Sequence, residues 1–238
     1  KAVDFLLLLR QNKLLKRTKI MTYNEIKKNK AIHTYITAAD ASLSALGFTE
    51  HSFAHVTVVA EKAGYILSTL GYDERTVELV KIAGYLHDIG NLVNRVDHSQ
   101  SGAVMAFRIL DKLGFNSVEI ADIVTAIGNH DEGTGVPVSE FAAALILADK
   151  SDVRRNRVRN QDISNFDIHD RVNYSVTSAN LNINEQKTEI ILKLTIDTKY
   201  GSVMDYFEIF MQRMILCRKA AEKLGLKFRL IINEQSLL

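Results

Sequence analysis

The sequence predicts a mainly α-helical protein that ends in a small α+β unit, and three observations point there. From about residue 22 to 160, apolar residues recur at intervals of three and four, which gathers them on one face of a helix. A single proline, Pro137, in 238 residues leaves long stretches free of helix breakers. After about residue 165 the pattern changes to alternating apolar and polar residues, the period of a half-buried strand. The chain then divides into a basic leader over 1–21, a helical domain over 22–165 and an α+β unit over 166–238.

Each element has its own signals. Thr22-Tyr-Asn-Glu25 is a capping box that opens the helical region. Val56, Val59, Ala60, Ala63 and Leu67 line one face of a helix closed by Gly71. Asp73 caps the next, which runs through Val77, Val80, Ile82, Ala83 and Leu86 to Gly90. A third helix spans roughly 99–113 and stops at Gly114, and Asn116 with Glu119 caps a fourth. Gly133-Thr-Gly-Val-Pro137 is a loop, and a fifth helix runs from Ser139 through Asp149. Leu181 to Ile196 alternates around a polar turn and predicts a β-hairpin. A helix from Val203 to Leu224, stopped by Gly225, and a strand over Phe228–Ile232 complete the tail.

Composition narrows the class. Apolar residues make up 47% and charged residues 24%, as in soluble globular proteins. The longest aliphatic run, Leu6 to Leu9, is far too short to span a bilayer. The lone Cys217 has no internal disulfide partner and lies in an apolar helical stretch, so it reads as packing in a reducing, cytoplasmic setting. Residues 1–30 carry nine Lys/Arg and two acids, so the other 208 carry 21 basic and 26 acidic side chains. The body is not basic enough to favour nucleic acid. The leader reads as a solvated amphipathic helix, appended or loosely attached ahead of Met21.

The chemistry lies in His87-Asp88, at the end of an apolar helical run. His55 lies early on the preceding helix, so antiparallel packing brings it to the same end. His98 starts the third helix, His130 ends the fourth, and Asp149 comes from inside the fifth. Five elements thus offer six N/O donors to one region. Such donors suit Fe, Mn, Zn, Co, Ni or Mg, and the absence of cysteine among them argues against a structural zinc finger. Six candidates make a two-metal site feasible, with Asp88 the candidate bridge.

These residues resemble the HD superfamily of metal-dependent phosphohydrolases, with its His…His-Asp…Asp pattern, and most closely the HD-GYP-like branch. His55, Leu86-His87-Asp88-Ile89-Gly90 and Ala148-Asp149 carry the pattern. His98-Ser-Gln-Ser-Gly102-Ala103 is similar to the branch's His-Pro-x-x-Gly-Ala, without the proline. Asn129-His130-Asp131-Glu132 with Gly133–Pro137 is similar to its His-His-Glu…Gly-x-Gly-Tyr-Pro segment. Asn91 stands where that branch has Lys and Val136 where it has Tyr. The resemblance implies an HD-domain helical bundle, a mono-, di- or trinuclear metal site, and phosphate-ester hydrolysis by hydroxide that the metal makes available. It also makes His51, one turn before His55, a candidate extra ligand.

On the substrate side, residues 150–159 hold five basic side chains and one acid. Lys150, Arg154, Arg155 and Arg157 are candidates to grip phosphate, with Lys150 also a candidate catalytic group beside Asp149. Asp131 and Asp152 are candidate general acids or bases, with orientation of a His ligand the competing role. The expected partner is a small phosphorylated molecule such as a nucleotide, with no membrane, and the C-terminal unit is a candidate homodimer surface. The alternative is a regulatory module that keeps the metal and hydrolyses nothing.

Overall fold

The structure, a computed structural model, describes residues 21–237. The expected leader helix therefore lies outside the described residues, apart from Met21. In chain order the helices are α1 (Tyr23–Lys27), α2 (Lys30–Ala45), α3 (Phe53–Leu70), α4 (Glu74–Leu86), α5 (His98–Leu113), α6 (Ser117–Gly128) and α7 (Glu140–Lys150). The tail holds α8 (Ile168–Ser175), β1 (Val176–Ile183), β2 (Glu189–Ile196), α9 (Val203–Lys223), β3 (Lys227–Ile232) and β4 (Gln235–Ser236). Among the described residues, no helix is long and apolar enough to cross a membrane.

The predicted caps form. Thr22 and Asn116 make complete capping boxes, Asp73 accepts from two backbone amides of α4, and Gly71 and Gly114 end their helices in the left-handed region. In α7 every residue from Phe141 to Ala148 is buried, which makes it the central helix of the bundle. That centrality is what carries Asp149 into the interior.

Two glycines set the distances that matter. Gly84 of α4 crosses α3 so closely that a Cβ there would lie 2.7 Å from the Ala60 Cα. Gly90 presses against the start of α5, where a Cβ would collide with the His98 carbonyl oxygen. The first contact draws the ends of α3 and α4 together, and the second seats His98 beside Asp88.

The tail forms a four-stranded sheet in the order β1-β2-β3-β4. β1 and β2 are the expected antiparallel hairpin, and α9 crosses over to place β3 parallel to β2. Ile190, Leu192, Leu194 and Ile196 of β2 are buried, as are Phe228, Leu230 and Ile232 of β3. Each such side chain stabilises by about 1.5–3 kcal/mol relative to exposure. α9 packs against both β3 and α7, so the apolar core runs continuously from the bundle into the tail. Cys217 lies in that core, as expected from its apolar surroundings.

The elements differ from expectation at four places. α4 stops at Leu86 rather than Gly90, because the chain tightens into a 3₁₀ turn over Ile89–Leu92. β1 begins at Val176, ahead of the alternating stretch, through a bulge at Val176/Ser178 where the in–out rhythm is lost. α8, capped by Asp167, and the two-residue β4 were not predicted; both are too short for hydrophobic periodicity to mark them.

Candidate metal centre

Each of the four histidines enters from a different element. His55 is the third residue of α3, His87 caps the end of α4, His98 opens α5, and His130 lies two residues beyond α6. All four are buried, with between 0% and 3% of their surface exposed. Their rings form a row, with centroids 5.2 Å apart for His55–His87, 4.9 Å for His87–His130 and 5.0 Å for His130–His98.

Every Nδ1 in this row is already held. It lies 2.8 Å from the Gly84 carbonyl oxygen in His87, 2.6 Å from that of Ile127 in His130, and 3.1 Å from that of Arg95 in His98. In His55 it lies 2.8 Å from the Asp152 carboxylate. These acceptors can only receive a proton, so each neutral ring carries its proton on Nδ1 and keeps a lone pair on Nε2.

The four Nε2 atoms converge on Asp88. Its Oδ2 lies 3.2 Å from His87 and 3.5 Å from His55; its Oδ1 lies 3.5 Å from His98 and 3.9 Å from His130. Asp149 Oδ1 closes the His55–His87 side at 3.3 and 3.7 Å. The Nε2 atoms of His55 and His87 are fully buried and make no hydrogen bond. Ligand atoms of His55, His87 and Asp149 lie within 4.8 Å of one another, as do those of His87, Asp88 and His130. Buried nitrogen lone pairs aimed at two carboxylates form a pocket of negative potential, which a divalent cation would satisfy.

The electrostatics agree. Burial disfavours charge on Asp88 and Asp149, but His87 and Lys150 respectively, with the surrounding imidazoles, hold both carboxylates well below their usual range. Burial also opposes charge on His87, yet Asp88 and Asp149 outweigh it and push the ring up to about 10.

Orienting contacts surround the donors. Asn91 Nδ2 donates to Asp88 Oδ1 at 3.0 Å, which fixes the carboxylate plane. Lys150 lies 2.7 Å from Asp149 Oδ2 and 2.6 Å from Glu132 Oε2, and Arg213 of α9 lies 2.8 Å from Glu132 Oε1. A chain of charges thus runs from the tail to Asp149. Asp152 holds His55 while it receives Arg154 at 2.7 Å.

The sequence candidates fall into two groups. His55, His87, Asp88, His98, His130 and Asp149 come together, and Asp131 stands beside them, with Oδ1 3.9 Å from His98 Nε2. His51 is adjacent but apart: its Nδ1 lies 2.6 Å from the Thr49 carbonyl oxygen, and its ring meets His55 edge-on at 5.3 Å.

The basic candidates are engaged elsewhere. Lys150 is committed to two carboxylates, and Arg154 to Asp152 and Glu50. Arg155 donates to the Tyr174 carbonyl, lies over the Tyr174 ring and pairs with Asp197 in the tail. Lys150, Arg154 and Arg155 do not line the cavity of about 340 Å³ beside the centre, whereas Arg95, Arg157 and Arg213 do. Residue spacing near Asp149 could not reveal Arg95 or Arg213, which come from other elements; Asn91 and Glu132 were visible only as neighbours of ligands.

Three comparisons bear on this arrangement. The HD domain family matches residues 52–171, which include all six donors. An uncharacterized protein of Methanocaldococcus jannaschii is 28% identical over 162 residues, covering 58% of this chain and 62% of that protein. The chain therefore matches less than two thirds of that relative's length. A crystal structure of a predicted HD superfamily hydrolase from an uncultured Thermotogales bacterium is 26% identical, with a TM-score of 0.43, covering 56% of this chain and 75% of the other. With half of its length matched and the donors inside the match, the chain belongs to the HD domain family.

Proposed function

We propose that the chain is a divalent-metal-dependent phosphohydrolase that cleaves a phosphate ester of a nucleotide, a cyclic dinucleotide or another small phosphorylated metabolite. The observation that carries this reading is the convergence of four histidine Nε2 atoms on the two oxygens of one aspartate. Asp88 turns one oxygen to His55 and His87 and the other to His98 and His130, so these residues with Asp149 would hold the divalent metal. Divalent ions held there supply a water of lowered pKa and neutralise phosphoryl charge. Asp131, half-buried beside His98, is the carboxyl that in this reading passes a proton to a leaving oxygen. Lys150 acts in this reading by holding Asp149. Kinship with the HD-GYP-like branch is its finer form, supported by His98–Gly102 and Asn129–Pro137.

Metal analysis followed by turnover measurements on phosphomonoesters, nucleotides and cyclic dinucleotides tests it. His87→Ala and Asp88→Ala should lose metal and turnover together. Full metal content and full activity in both variants would remove the assignment.

A further inference from the structure

The cavity beside the centre is lined by His51, Arg95, Arg157, Arg213, Phe48 and Asp170, among others. Two of its three guanidinium groups are already committed. Arg157 donates to the backbone oxygens of Asp152 at 2.7 Å and Glu50 at 2.9 Å, and Arg213 is tied to Glu132. Arg95 differs: among the described residues it pairs with no carboxylate. Its Nη1 lies 3.2 Å from His98 Nε2, and its guanidinium carbon lies 5.6 Å from the centre of the Phe48 ring.

We propose that Arg95 anchors the phosphate of a nucleoside monophosphate, whose base lies on Phe48. This assignment rests on the phosphohydrolase reading above. A guanidinium next to a metal ligand repels any cation bound there, and an anion between them turns one repulsion into two attractions. The planar fork of Arg matches two phosphate oxygens. Phe48 is 40% exposed, so its ring remains available to an aromatic partner. Asp167 and Asp170, which also line the cavity, can accept from hydroxyl or amino groups. The cavity volume is near the lower end of the roughly 300–1,000 Å³ typical of small-molecule sites, which suits one nucleotide better than a cyclic dinucleotide.

Calorimetric titration of the metal-loaded full chain with adenosine and guanosine 5′-monophosphates and with inorganic phosphate tests this independently of turnover. Arg95→Gln should weaken both kinds of ligand by about tenfold or more, with partial recovery in Arg95→Lys, which keeps the charge and loses the fork. Phe48→Ala should cost the nucleotides at least about fivefold more than it costs phosphate. Binding within twofold of the parent in Arg95→Gln overturns the anchor, as does a parent protein that binds neither ligand. Equal losses for both ligands in Phe48→Ala, or nucleotides bound no tighter than phosphate, overturn the nucleoside assignment. Turnover of p-nitrophenyl phosphate separates the two readings. An active protein with unchanged KM in Arg95→Gln loses the anchor and keeps the hydrolase, whereas Arg95-dependent binding without turnover of any phosphate ester does the reverse.

Discussion

Replacing Gly84 with alanine asks whether the distance between α3 and α4 controls the metal centre. A Cβ at Gly84 would lie 2.7 Å from the Ala60 Cα and 2.9 Å from its backbone nitrogen. Ordinary contact begins near 3.4 Å, so the helices must separate by about 0.7 Å, and neither obstacle is a side chain that can rotate away. Overpacking of this kind costs about 1–3 kcal/mol. For a domain of this size that is a fall in Tm of roughly 2–12 °C. The Gly84 carbonyl also fixes His87 through its Nδ1, so metal affinity should fall with stability. Gly64→Ala is the matched control on the facing helix. The three atoms nearest its Cβ all belong to the flexible side chain of Lys81. Moving that chain loses the Lys81–Glu61 pair, with side chains 24% and 52% exposed, worth about 0–1 kcal/mol, against up to about 1 kcal/mol gained in helix propensity. Thermal melting and chelator-competition titration of both variants provide the comparison. If Gly84→Ala melts within 1 °C of the parent, or no lower than Gly64→Ala, the account of the helix contact is wrong.

Three further outcomes are expected. Asp152→Asn should lower metal affinity by about 10–100-fold, because it weakens the grip on His55 Nδ1, and unchanged affinity by competition titration would show that Asp152 does not orient the ring. Arg213→Gln should release Glu132 and reduce metal affinity several-fold, with recovery in Arg213→Lys; a defect confined to KM would instead place Arg213 on the substrate. Burial raises the pKa of Glu132, but Lys150 and Arg213 outweigh it and hold the carboxyl well below its usual range. Its contribution to stability is therefore complete above about pH 4.3, the unfolded value, and is lost as pH falls through the lower folded value. Acid unfolding of Glu132→Gln should show a flatter limb in that window, and an unaltered profile would count against the Lys150–Glu132–Arg213 linkage.

The candidate donors, which the structure brings together, were legible in the sequence because metal chemistry restricts residue type. His, Asp and their positions at helix ends are visible one residue at a time, and the caps that place those ends follow local rules that the structure keeps. Phosphate contacts are harder to read, for the opposite reason. Lys150, Arg154 and Arg155 stand out as a basic run, but charge on a sequence does not show which carboxylate has already claimed it. Arg95 has no local signature at all, since its significance comes from its place in space, at the cavity and against His98 and Phe48. The hairpin and α9 were legible from period, whereas the parallel pairing of β2 with β3 depends on a long-range crossover that no local pattern encodes.

The line from Arg213 through Glu132 and Lys150 to Asp149 has a consequence for anyone who would divide this protein. A fragment cut where the family likeness ends, at Arg171, would keep every donor and still lose the far end of that line. It would also strip α9 from the side of α7 and leave an apolar surface where the central helix is now covered. The smallest unit that keeps this network whole is therefore larger than residues 52–171.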